Sequence, residues 1–264
     1  MTVSRVCVMF AGPNGSGKTT VKNSLSKPEG WFGLYINPDE LEATIRQTSL
    51  LPTEPLGLSV TVKAVRAYFA GSPFLAKEGF ADTAATIQLS DGNLDFRGLN
   101  FNSYHASVLS DFLRRRALEA RVSFSFETVM SAEDKVELLQ KAQSRGYRTY
   151  LYFVATENPA INIQLVKTRV AAGGHDVPED KIVSRYHRSL ALLGRAISHT
   201  NRAFLFDTSR EDAWYFAEIT DGGQYGRPCL TGLLIHAGLL RSVFEMTLYW
   251  YEMDKPTRQT GQTQ

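Results

Sequence analysis

The chain has 264 residues, 43% hydrophobic and 21% charged, with a formal net charge of +2. That composition excludes a disordered or fibrous chain, and basic residues spread along the sequence give no footing for a dedicated nucleic-acid surface. Two cysteines, Cys7 and Cys229, exclude a disulfide framework and no spacing suits zinc, so a reducing, cytoplasmic setting is expected.

The apolar stretch 6–11 is too short for a signal-peptide core and runs straight into a glycine-rich loop. Segment 230–251 is apolar but interrupted by His236, Arg241 and Glu245. It reads as a buried or partner-facing helix rather than a membrane span.

In chain order, 5–10 reads as a first strand, followed by the glycine loop and a helix over 18–26. Residues 34–36 read as a second strand. Asn37-Pro38 opens a helix to about 48, with proline where its missing N–H is not needed. A third strand is expected at 122–126, then a helix opened by a Ser131/Asp134 capping box and ending near Gly146. A fourth strand at 147–154, helices at 158–172 and 178–199, and a fifth strand at 203–206 complete the series. This alternation predicts an α/β fold with a parallel five-stranded sheet and helices on both faces.

Two regions break the rhythm. Between about 50 and 120 lies a mixed insert, helical at 60–69 and 104–120, with a hairpin turning at Ser90-Asp91-Gly92-Asn93. Arg114, Arg115 and Arg116 within it read as a solvated helix face. Residues 208–264 read as a C-terminal extension, with a disordered polar tail at 257–264.

The segment from Gly12 to Thr19 fits G-x-x-x-x-G-K-[ST] at every fixed position. Glycines at 12, 15 and 17 allow backbone N–H groups to turn inward around an anion. Gly12, Asn14, Gly15, Ser16, Gly17, Lys18, Thr19 and Thr20 are therefore the expected nucleotide-binding residues, for ATP or GTP. Lys18 would meet the β- and γ-phosphates, and the Thr19 hydroxyl would ligate Mg²⁺.

Ligands of open α/β sheets gather at the carboxyl ends of strands. Asp39 follows the second strand, taken as the neighbour of the loop. It reads either as a general base for an acceptor hydroxyl or as a carboxylate complementing its helix dipole. Glu127 ends the third strand and reads as a ligand of Mg²⁺ through water, a grip on substrate, or a surface carboxylate. Arg169 and the pair Arg185 and Arg188 flank Gly173-Gly174, a pattern expected of a helical lid over about 169–188 that delivers guanidinium groups to transferred oxygens. His175 and His187 have no metal-ligand spacing and read as hydrogen-bonding residues.

The order GPNGSGKTT, INPDE, FSFETVMS and RVAAGGHDVPEDKIVSRYHRSL resembles the zeta-toxin family, in its branch of short P-loop kinases, over about residues 5–207 with the insert excepted. The resemblance implies a P-loop NTPase-type sheet and an ATP-dependent kinase. Its acceptor would be a sugar hydroxyl of UDP-N-acetylglucosamine, and its partner an antitoxin protein. It further implies Lys18 on the ATP phosphates, Asp39 as general base, Glu127 on substrate or metal, and Arg169 and Arg185 as charge-stabilising arginines, with Arg188 an alternative to Arg185. Three features depart from the family pattern: Val129 where threonine is usual, the long insert, and the segment after Asp207. All three bear on the acceptor and none on the phosphate donor.

Overall fold

A computed structural model of the chain describes residues 5–27, 30–174, 176–210 and 214–220. The expected helix within 230–251, the polar tail, Cys229 and His175 lie outside the described residues.

The main sheet is built from β1 (Val6–Ala11), β2 (Leu34–Ile36), β6 (Phe124–Thr128), β7 (Arg148–Ala155), β8 (Arg202–Asp207) and β9 (Trp214–Thr220). Between them in sequence come β3 (Leu50–Pro52), β4 (Gln88–Ser90) and β5 (Asn93–Asp95), which form a separate three-stranded sheet. The helices are α1 (Lys18–Ser24), α2 (Pro38–Thr48), α3 (Val62–Ala70), α4 (Pro73–Lys77), α5 (Ser103–Glu119), α6 (Asp134–Ser144), α7 (Pro159–Ala171), α8 (Glu179–Ala191) and α9 (Leu193–Ser198).

Strand order in the main sheet is β2-β6-β1-β7-β8-β9. The first five strands run parallel, as the alternation of strands and helices requires, and β9 adds an antiparallel edge on β8. The order also corrects one expectation. β2 is not the neighbour of β1, because β6 lies between them. Strand β1 is therefore central and fully buried from Cys7 to Ala11, as expected of a parallel strand covered on both faces. One face packs Met9, Phe124 and Phe126 against α5 and α6; the other packs Val8, Phe10 and Tyr152 with Val21 of α1.

Several local signals act differently from the sequence reading. Helix α6 begins at Asp134 with Glu133 as N-cap and no side-chain cap bond, so Ser131 and Asp134 form no capping box. A capping box does open α5, where Asn102 accepts from the N–H groups of Tyr104 and His105 while the His105 ring accepts from Asn102 N–H. The expected helix over 178–199 divides at Leu192 into α8 and α9. The 114–116 run is a solvated face only in part: Arg115 is exposed, but Arg114 is buried, its guanidinium 5.1 Å from the Phe126 ring centroid and 3.4 Å from Asp111. The expected hairpin forms at Asp91-Gly92, both with positive φ, and gains β3 as a third strand.

Candidate active site

The strand register brings three carboxyl ends together. Phe10 pairs with Glu127 and Ala11 with Thr128, while Ile36 pairs with Phe126, so the turn after β2, the end of β6 and the glycine loop form one rim. Gly12 adopts φ 143°, and a Cβ there would lie 1.9 Å from the Val154 carbonyl oxygen, so only glycine lets the chain leave β1 past β7.

The loop is pinned from outside. Asn162 of α7 is fully buried and donates to the Asn14 carbonyl at 2.7 Å, while Thr156 donates to Asn162 Oδ1. Thr208, just past β8, donates to the Ser16 carbonyl at 2.9 Å. Inside the loop the Ser16 hydroxyl is buried and has no hydrogen-bond partner among the described residues. Gly17 begins α1 in the left-handed region and offers no side chain to the first N–H groups of that helix. An anion is the natural partner for such a cradle.

Lys18 donates to the carbonyls of Gly12 and Pro13 at 3.0 and 2.9 Å, folding its ammonium back over the loop. The residue as a whole is half-buried, but its ammonium sits among loop carbonyls. Burial pulls its pKa down to about 8, opposed by Glu127 and Asp39 and assisted by Arg169. The field at Lys18 thus joins four of the residues expected from sequence.

Glu127 is buried, and both its carboxylate oxygens are engaged: Thr19 donates to Oε2 at 2.9 Å and Tyr35 to Oε1 at 2.5 Å. A hydroxyl and a carboxylate at the mouth of a phosphate loop are hard oxygen donors of the kind Mg²⁺ takes beside phosphate oxygens and water, so this pair fits that ion. Among the described residues no group of three or more His, Cys, Asp and Glu could hold a metal. Burial, and then Glu127, push the Tyr35 hydroxyl above its ordinary range, which keeps it a donor. Asp39 is exposed at the start of α2, its backbone N–H donated to Asn37 Oδ1 at 2.9 Å. Thr20 lies exposed on α1.

Across the loop, Arg185 Nη1 lies 3.4 Å from Asn14 Oδ1. Burial and then Arg188 lower the Arg185 pKa, while Tyr104 at the start of α5 acts the other way. Arg188 is exposed and donates to the Ser184 carbonyl of its own helix, and His187 is exposed beside Tyr186. Gly174 has Arg169 against it, since a Cβ would lie 2.6 Å from Arg169 Cγ. Val129 is partly buried just past β6.

Sequence reasoning missed Tyr35, Asn37, Thr156, Asn162 and Thr208. Only Asn37 carried a signal, as an N-cap residue before proline.

A parallel sheet whose central strand feeds a glycine loop and then a helix defines a P-loop α/β protein. The family model described as Zeta toxin matches residues 101–219, from the start of α5 through most of β9. The phosphate loop at 12–19 lies ahead of that match, so the likeness to the zeta toxin family covers the second half of the sheet and its helices. The chain is also similar to an uncharacterized protein of Haemophilus influenzae, 27% identical over 70 residues, which are 26% of this chain and 50% of that one. The match thus spans about half the length of that curated relative. Among solved structures it is similar to an AvrRxo1-ORF1:AvrRxo1-ORF2 complex with sulphate ions, at 14% identity and TM-score 0.48, covering 86% of this chain and 61% of that one. It is also similar to a structure from the PezAT toxin–antitoxin system of Streptococcus pneumoniae, at 11% identity and TM-score 0.45, covering 97% and 89%. Among the described residues no helix is long and apolar enough to cross a membrane.

Proposed function

We propose that this protein is an ATP-dependent kinase that transfers the γ-phosphoryl group to a hydroxyl of a small acceptor, a sugar nucleotide such as UDP-N-acetylglucosamine. The observation that carries the reading is the convergence on Lys18 of Glu127, Asp39 and Arg169, with Thr19 bonded to Glu127. A nucleotide-binding module needs the loop alone. Transfer also needs a proton acceptor and cations where charge spreads.

On this reading the loop from Gly12 to Thr20 holds the ATP phosphates, and Lys18 exchanges its two carbonyl partners for β- and γ-oxygens. Thr19 and Glu127 would hold Mg²⁺, which when bound neutralises charge on the bridging phosphates. Asp39 takes the proton of the acceptor hydroxyl as the new P–O bond forms and the bond to the β-phosphate breaks, releasing ADP. Arg169 and Arg185 stabilise the transferred oxygens. Arg185, already at Asn14, suits this better than exposed Arg188.

A second reading keeps the kinase and changes the acceptor. It is favoured by Val129 and by the insert, which brings Tyr104 of α5 within electrostatic reach of Arg185. The zeta toxin match also makes an antitoxin the expected partner protein.

The test supplies the purified full chain with γ-labelled ATP, Mg²⁺ and a panel of sugar nucleotides and other hydroxyl metabolites. Label on a sugar nucleotide supports the first reading, and label on a different acceptor supports the second. Phosphate release without transfer, or no turnover at all, refutes both.

A further inference from the structure

Glu127 is held from two sides that differ in kind. Thr19 belongs to the phosphate loop, whereas Tyr35 belongs to β2, outside it. The Tyr35 ring is itself fixed, with Lys22 Nζ 3.9 Å from its centroid. Its hydroxyl has one proton, given to Glu127 Oε1, and accepts from Asn37 Nδ2 at 3.1 Å. The other end of the Asn37 amide accepts from Asp39 N–H at 2.9 Å. Each group has one consistent role: a tyrosine that donates to a carboxylate needs a donor behind it, and an N-cap must accept, so the Asn37 amide has only one orientation.

We propose that Tyr35 and Asn37 are positioning residues that lock Glu127 from outside the phosphate loop and tie it to the turn carrying Asp39. This rests on the kinase reading above and deepens it. The chain Thr19–Glu127–Tyr35–Asn37–Asp39 backbone runs unbroken from the donor half of the site to the acceptor half. Were Thr19 to turn toward a bound Mg²⁺ ion, it would give up Glu127 Oε2. Tyr35 keeps Oε1, so the carboxylate stays aimed at the loop rather than rotating to find another donor. A buried carboxylate with one oxygen left bare is costly, so the second partner sets how often the productive rotamer is populated. Asn37 makes the same contact serve the start of α2.

Two substitutions separate this role from simple support of the fold. Tyr35→Phe keeps the ring and removes the hydroxyl. Asn37→Ser keeps an N-cap acceptor for Asp39 N–H and withdraws the amide that reaches Tyr35. Turnover is measured with ATP and UDP-N-acetylglucosamine, and Mg²⁺-dependent binding of a non-hydrolysable ATP analogue by calorimetry. Melting midpoints of all variants establish that they fold. Tyr35→Phe is expected to lower kcat by about tenfold or more, with metal-free analogue affinity changed less than ~2-fold. The Mg²⁺ concentration giving half-maximal analogue binding should rise in both variants.

Because Tyr35 acts through Glu127, the double variant Tyr35→Phe/Glu127→Gln should be no slower than Glu127→Gln alone. Losses that multiply, or a Tyr35→Phe protein with wild-type kcat and Mg²⁺ requirement, overturn the proposal. Failure of the parent reading looks different: Glu127→Gln itself would turn over at the wild-type rate. The calorimetric Mg²⁺ arm reads the relay even if UDP-N-acetylglucosamine is not the acceptor.

Discussion

His105 offers a quantitative test of how the insert packs within itself. It lies fully buried at the third position of α5, with ring centroids of Phe80, Phe101 and Phe69 at 4.9, 5.6 and 6.3 Å. Its Nδ1 accepts from Asn102 N–H at 3.3 Å, and its Nε2 lies 3.3 Å from the Thr83 hydroxyl, whose own proton goes to the Phe80 carbonyl. The ring is therefore the neutral Nε2–H tautomer, and a proton added to Nδ1 would face the Asn102 N–H. Burial pulls its pKa from the ordinary 6.5 to about 4. A depressed histidine contributes in full above pH 6.5, where both folded and unfolded forms are neutral. Between 6.5 and about 4 only the unfolded chain takes up the proton, so stability falls with falling pH. Integrated to pH 4.5, the loss from this one group is on the order of 2 kcal/mol. Glutamine at 105 preserves a capping-box acceptor and a donor for Thr83 without titrating. Urea unfolding of wild type and His105→Gln at pH 7.5 and 4.5 isolates the term, because the carboxylates common to both proteins cancel. Wild type should lose on the order of 2 kcal/mol more than the variant. Equal losses would refute the buried neutral ring.

Asp39→Ala should lower phosphoryl transfer by at least ~10²-fold, as expected for a general base, with ATP affinity nearly unchanged; single-turnover kinetics beside nucleotide titration checks both. Lys18→Ala, by contrast, should weaken nucleotide binding itself, measured in the same titration. Arg185→Ala should cost transfer about 10²-fold or more, whereas Arg188→Ala should cost less than ~3-fold. Parallel assays of the two variants decide which arginine serves the site.

What was legible in the sequence was local. The loop declared itself because its glycines and Lys18 state their own geometry over eight consecutive residues, and strand–helix alternation gave the parallel sheet. Strand order was not legible, since nothing within β2 says that β6 will pair with it 90 residues later. That hid the Tyr35–Glu127 bond, whose partners lie 92 residues apart. The same limit applies to β3, whose three residues become a strand only against Asn93–Asp95. Arg114 misled for another reason. A charge on a helix reads as solvated, and the Phe126 face and Asp111 that bury it are tertiary facts.

Asn14 shows how the two halves of the proposed site depend on each other. Its carbonyl is held at 2.7 Å by buried Asn162 of α7, while its side chain meets Arg185 of α8 at 3.4 Å, the long limit of a hydrogen bond. The first contact is short and shielded from water, and breaking it would strand a buried amide. The second is weak and shared with solvent, so a phosphate can replace it at little cost. Helices α7 and α8 are themselves joined by the small cluster of Val166, Val177 and Ile182. On the kinase reading, α7 therefore fixes the loop regardless of nucleotide, and Arg185 is the contact free to change partner. Tyr104 on the insert side shares the neighbourhood of that guanidinium. The residue that would stabilise the transferred phosphoryl group is thus also the one best placed to sense which acceptor lies against the insert.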